Sequence, residues 1–132
     1  MPHSFNIHAE AWPLAGAFRI SRGTRKVSDV LMVEVNDGNY VGRGECFPYA
    51  RYGEDIDSVQ KQLNSVRSEI EDGLDRQALL NVLAPGAARN AVDWALWDLE
   101  AKRTNVRGGE LAGLPAPKTV TTVYTLGVDE PA

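Results

Sequence analysis

Val30 to Cys46, VLMVEVNDGNYVGRGEC, holds two strands and the turn that joins them. Leu31, Val33 and Val35 fall on one side of an extended chain, with Val30, Met32 and Glu34 on the other, the period of two that marks a strand. Asn36–Asn39, NDGN, predicts a hairpin, because Asp-Gly tolerates the positive φ of a tight turn. The returning strand, YVGRGEC, carries Gly42 and Gly44. Glycine weakens a strand interior, so this pair predicts close approach of another backbone or side chain.

Toward the N-terminus, Phe5, Ile7, Ala9 and Ala11 alternate with Asn6, His8, Glu10 and Trp12, which predicts a first strand with one face on a core. Pro13 and Gly16 then loosen the chain before a cationic stretch, FRISRGTRKVSD, Phe18 to Asp29, with Arg19, Arg22, Arg25 and Lys26. The first third is therefore a three-stranded antiparallel meander.

Helices follow. Between Asp55 and Asp72, Ile56, Val59, Leu63, Val66 and Ile70 recur at steps of three and four, one apolar stripe on one helix. Asp55 is placed to cap its start and Gly73 its end. Asp75 caps a short second helix through Leu79, Leu80 and Leu83, stopped by Pro85. The third is GAARNAVDWALWDLEAKR, with a stripe of Ala88, Ala91, Val92, Ala95 and Leu99 and with Trp94 and Trp97 beside it. Its alanines permit close approach, and Lys102 and Arg103 suit a helix C-terminus. After Asn105 the turn-rich GGELAGLPAPK gives way to TVTTVYTLGV, which predicts a last strand over 119–127. Strands segregated from helices indicate an α+β fold.

Composition bounds the function. A length of 132 residues suits one domain with a modest core. Fourteen Lys and Arg against eighteen Asp and Glu give a net charge of −4, which argues against general nucleic-acid binding. No stretch has the apolar length of a membrane span, and the N-terminus lacks the pattern of a secretory leader. Cys46 is the single cysteine, so no intrachain disulfide forms, and a reducing, cytoplasmic setting is expected. Cys46 lacks a visible base and is expected as a small buried residue rather than a nucleophile. His3 and His8 have no acidic or cysteine partner at ligand spacing and are not expected to bind metal.

Three phrases together, YVGRGECFPYARYGE, GAARNAVDWALWDLEAKR and TVTTVYTLGV, resemble the N-terminal capping domain of the enolase superfamily, in its mandelate racemase and muconate lactonizing branch. AWPL, FRISRGTR and ECFPYARYGE most resemble the bacterial L-Ala-D/L-Glu dipeptide epimerases. The resemblance covers essentially the whole chain. It implies a capping domain over 1–115 and, over 116–132, the start of a C-terminal barrel domain that the chain does not continue. It implies an isomerase that takes the proton α to a carboxyl group and returns it on the opposite face, with Mg²⁺ stabilising the enediolate. The family's catalytic lysines and acidic metal ligands belong to the barrel, so no catalytic residue and no metal ligand is expected in this chain, which alone is expected to be inactive.

The resemblance also assigns the cationic stretch. Two loops of the cap close over the barrel mouth, here Arg19 to Ser28 and Phe47 to Asp55. Arg25 matches the arginine that meets a substrate carboxylate, and the implied substrate is an acidic dipeptide such as Ala-Glu. A guanidinium suits that task, gripping a carboxylate with two hydrogen bonds at any working pH. Arg19, Arg22 and Lys26 read as a solvated face. Tyr52 either lines the pocket or packs the loop, and Tyr49 packs the loop. Thr125 matches a threonine that faces substrate, and equally reads as an ordinary strand residue. Glu45 reads as structural across the seam between cap and barrel, and Trp94 and Trp97 as core and seam residues. The alternatives are a stand-alone interaction module that shares the cap fold and an assembly role for the last strand. Without a barrel, the bared seam and the edge of 119–127 are expected to drive self-association.

Overall fold

The computed structural model describes residues 2–21 and 23–126. Arg22 of the cationic stretch and Gly127 of the expected last strand lie outside the described residues. Three strands, β1 (Ser4–Ile20), β2 (Gly23–Asn36) and β3 (Val41–Cys46), form an antiparallel sheet in the order β1-β2-β3. A 3₁₀ turn, Ala50–Tyr52, leads to α1 (Ile56–Ser65), α2 (Arg67–Glu71), α3 (Arg76–Val82), α4 (Ala87–Thr104) and α5 (Gly108–Leu111). The α+β reading and the meander hold.

The turn between β2 and β3 is fastened by its own side chains. Asp37 Oδ1 accepts from the backbone of Asn39 at 2.9 Å and Tyr40 at 2.8 Å, and Gly38 takes φ 96°. The two strand glycines behave as their positions predict. Gly44 pairs with Val33 and Gly42 with Val35, so both face the core side, and α4 lies directly on them. A Cβ on Gly44 would collide with Ala91 O and stand 2.8 Å from Ala95 N, and one on Gly42 would collide with Ala95 O and stand 2.8 Å from Leu99 N.

Helix α4 also covers the free edge of β3. Asp98 Oδ2 accepts from Arg43 N at 2.8 Å, Lys102 Nζ donates to Val41 O at 2.7 Å, and Asn90 Nδ2 donates to Glu45 O at 3.3 Å. Side chains thus satisfy an edge that would otherwise invite another strand. The core lies between sheet and helices, with Phe5, Leu31, Val33 and Val35 meeting Val59, Leu63, Ile70, Leu79 and the buried stripe of α4.

Three expectations are corrected. The helix over Asp55–Asp72 breaks at Val66 (φ −115°, ψ 15°), although Val66 and Ile70 continue the buried stripe. Beside the break, Asn64 and Ser65 turn their side chains back onto the carbonyls of Gln60 and Gln62, which competes with the helical ladder. Leu79 and Leu83 are buried while Leu80 is exposed, and Trp94 is exposed beside the buried stripe of α4. Among the described residues of Arg19–Ser28, Arg19, Ile20 and Gly23–Ser28 are strand rather than loop. They form the distal part of a long hairpin arm in which Phe18 pairs with Arg25 and Ile20 with Gly23, after a register slip between Pro13 and Phe18. The arm outruns the helices, which is why Ala9 and Ala11 are exposed where Phe5 is buried. Residues 119–126 form no strand and are exposed. An extended segment becomes a strand only by pairing, and none of β1–β3 pairs with it.

Candidate functional site

The hairpin arm and the segment after β3 converge. Phe18, Ile20, Gly23, Thr24, Arg25 and Tyr49 line a cavity of about 220 Å³. Tyr49 also lines a second cavity of about 500 Å³, with Phe47, Tyr52 and Glu54. The guanidinium carbon of Arg25 sits 4.5 Å from the Phe47 ring centroid. The rings continue from there, with Phe47 and Tyr49 centroids 6.1 Å apart and Tyr49 and Tyr52 centroids 5.8 Å apart. Two segments more than twenty residues apart in sequence therefore share one cationic and aromatic surface.

Local sequence explains how the segment 47–55 is held. Its 3₁₀ turn ends at Gly53, which adopts φ 72°, a left-handed conformation that suits glycine. Glu54 then reaches the start of α4, where its Oε1 accepts from Ala87 N at 2.8 Å. The helix needs that acceptor because its N-cap, Gly86, has no side chain, and a Cβ on Gly86 would stand 2.8 Å from Glu54 Oε1. Asp55 caps α1 in a reciprocal box with Ser58, at 2.7 and 3.0 Å. The segment is thus anchored by β3 at one end and by two helix N-termini at the other.

The structure brings Arg25 and Tyr49 into one cavity and places Tyr52 on the next. Tyr52 is 75% exposed, so it does not pack the segment down as a buried residue would. Thr125 is exposed within 115–126 and lines neither cavity. Arg19 and Lys26 are exposed on the arm. Glu45 is half-buried, and its backbone carbonyl is tied to Asn90. Cys46 is buried, and burial, with the charge of Glu54 next, pushes its thiol up to about 11, so at neutral pH it is a protonated thiol with no nucleophilic character. Trp97 is half-buried, with the Arg76 guanidinium 3.5 Å from its ring centroid, and Arg76 pairs with Glu100 at 2.6 Å.

Phe47 and Glu54 are the residues of this surface that sequence reasoning did not single out. The aromatic spacing of Phe47, Tyr49 and Tyr52 was the available signal for the first, and a carboxylate just before the Asp55 cap for the second. The residues described do not fit a Mg²⁺ site, since no three His, Cys, Asp or Glu side chains gather among them.

Residues 3–113 match the family model for the mandelate racemase / muconate lactonizing enzyme, N-terminal domain. The chain is 45% identical over 125 residues to the L-Ala-D/L-Glu epimerase of Escherichia coli (strain K12), covering 95% of this chain and 39% of that protein. It is 33% identical over 106 residues to the N-acetyl-D-glutamate racemase of a Pseudoalteromonas species, covering 77% of this chain and 33% of that protein. Among solved structures, it is similar to an enolase family member from Agrobacterium tumefaciens with homology to dipeptide epimerases, solved with bound sodium and L-Ala-L-Glu. That likeness has a TM-score of 0.81 at 46% identity, over 87% of this chain and 36% of the other. The dipeptide epimerase of Enterococcus faecalis, complexed with Mg and L-Leu-L-Tyr, gives a TM-score of 0.81 at 27% identity, over 98% of this chain and 39% of the other. The chain thus spans between a third and two-fifths of these relatives. From the match over residues 3–113 and the shared fold, the chain belongs to the mandelate racemase / muconate lactonizing enzyme family, as its N-terminal domain.

Proposed function

We propose that this domain is the substrate-selecting cap of a dipeptide epimerase, and that Arg25 selects an acidic dipeptide such as Ala-Glu. The observation that carries the reading is the placement of Arg25. It lines the cavity between the hairpin arm and the segment 47–55, and among the described residues it joins no ion pair. A guanidinium with unsatisfied N–H donors is a receptor for a carboxylate, and it gains most where water is partly excluded. Phe18, Ile20 and Tyr49 supply that partial exclusion around it. Similarity to an enolase family member solved with L-Ala-L-Glu supports the acidic class.

In this reading 1–115 is the cap and 116–132 begins the barrel domain. The barrel supplies the proton-transfer lysines and holds the Mg²⁺, and it is the partner of this domain. The cap's own residues do three things. Arg25 orients the distal carboxylate, the arm and the segment 47–55 close over the dipeptide, and Phe18, Ile20 and Tyr49 keep water from the pair of Arg25 and that carboxylate. Tyr52 and Thr125 are proposed as further substrate contacts, Thr125 once the barrel positions it.

The test is Arg25→Met in a protein that carries this domain at its relatives' full length. Losing a charge-assisted pair lowers kcat/KM for L-Ala-L-Glu by about 10- to 100-fold and leaves a neutral dipeptide within about twofold. Equal losses on both substrates would refute the selection.

A further inference from the structure

Arg25 stands on an arm that has few other ties to the fold. From Gly16 to Val27 every described residue is exposed. Among the described residues, the Arg25–Phe47 contact is the one cation–ring or ion-pair link between 18–27 and the rest of the protein. Phe47 itself stands on firm ground. It follows the buried Cys46 at the end of β3, is half-buried, and is backed by Tyr49 and then Tyr52. Beyond Tyr52 the segment is fixed to α4 through Glu54 and to α1 through Asp55. The chain of contact runs from two helix N-termini through three rings to one cation.

The chemistry of that contact suits a carboxylate receptor. An aromatic face attracts a cation without using any of its hydrogen bonds. An arginine held by a second carboxylate would have its fork occupied, whereas one held by a ring keeps its five N–H donors. We propose that Phe47 is the positioning residue of this site, holding Arg25 over the cavity with its donors free, and that preference for an acidic substrate depends on Phe47 through Arg25. This inference rests on the reading of Arg25 proposed above.

Two measurements test it. The first uses the 132-residue chain. Tryptic cleavage after Arg19 and Lys26, relative to cleavage after Lys61, reads the order of the arm. Phe47→Leu raises that ratio about 3- to 30-fold, as loss of a cation–ring contact requires, and Phe47→Tyr leaves it unchanged. The relative measure removes any general loss of folding. The second uses the full-length protein with L-Ala-L-Glu and a neutral dipeptide. Phe47→Leu raises KM for the acidic substrate alone, Phe47→Tyr restores it, and Phe47→Leu adds nothing to Arg25→Met. An unchanged cleavage ratio, or equal losses on both dipeptides, overturns the inference. A looser arm with acidic preference intact also overturns it, and leaves the separate Arg25→Met result to judge the reading beneath.

Discussion

Gly44→Ala adds one methyl group at the tightest point between sheet and helix. The new Cβ would be driven into Ala91 O, would stand 2.8 Å from Ala95 N and 3.0 Å from Ala91 C. All three are backbone atoms of α4, so no side chain can rotate away. Relief requires α4 to lift from β3, and that loosens Ala88, Ala91, Val92, Ala95, Leu96 and Leu99, all buried, as well as the edge bonds from Asp98 and Lys102. Overpacking a methylene into a rigid core costs about 1–3 kcal/mol, and the backbone clash puts this case at the upper end, about 3 kcal/mol. Against a total of about 5–15 kcal/mol for a domain, that is a large fraction. With a urea slope of about 2 kcal/mol/M, the midpoint falls by about 1.5 M. Far-UV circular dichroism in urea measures it. Gly16→Ala is the control, since a Cβ there meets nothing within 4 Å. It is expected within about 0.5 kcal/mol of the parent, or slightly more stable through reduced freedom of the unfolded chain. A Gly44→Ala midpoint equal to or above that of Gly16→Ala would refute the packing argument.

Three other outcomes are expected. Backbone hydrogen bonds from Tyr40 and Asn39 lower the carboxyl pKa of Asp37, the backbone and then the side chain of Ser58 lower that of Asp55, and the Arg76 hydrogen bond lowers that of Glu100. Groups with depressed folded pKa values stabilise the fold above their ordinary values of 3.8 and 4.5 and lose that contribution as pH falls through the folded values. The urea midpoint should therefore hold from pH 7 to about 5 and decline below, less steeply in Asp37→Asn, and a midpoint that rises on acidification would contradict this. Buried and protonated, Cys46 should resist a thiol reagent until urea unfolds the chain, so fast native labelling would contradict its burial. Val120, Val123, Tyr124 and Leu126 are each at least 79% exposed, and the 132-residue chain should self-associate through them. Light scattering should show mass rising with concentration, reduced in Val123→Asp, and a clean monomer at high concentration would count against it.

Much of the fold was legible because burial imposes a period. The alternation in Leu31–Val35, the Asp37-Gly38 turn and the Ala88–Leu99 stripe each combine a local preference with a buried face, and each stands as read. Gly42 and Gly44 pointed to a close neighbour, because little else explains two glycines in one strand, and that neighbour is α4. The arm was less legible for the converse reason. Phe18, Ile20, Thr24 and Val27 are good strand formers, but no layer covers them, so no burial pattern marks the pairing. Residues 119–126 alternate as a strand does, yet pairing needs a partner that β1–β3 do not supply. Arg25 was singled out through the resemblance of RISRGTR to a family loop, and the structure puts it on a cavity with Tyr49. Phe47 was not, because its contact with Arg25 joins two segments that no one-dimensional period relates.

The most direct test of the account is solvent deuterium exchange at the glutamyl α-carbon of L-Ala-L-Glu, followed by proton NMR in D₂O. The account predicts exchange with inversion by a protein that continues this domain to its relatives' full length, and none by the 132-residue chain alone. Absence of exchange in the longer protein, or exchange by the short chain, would contradict it.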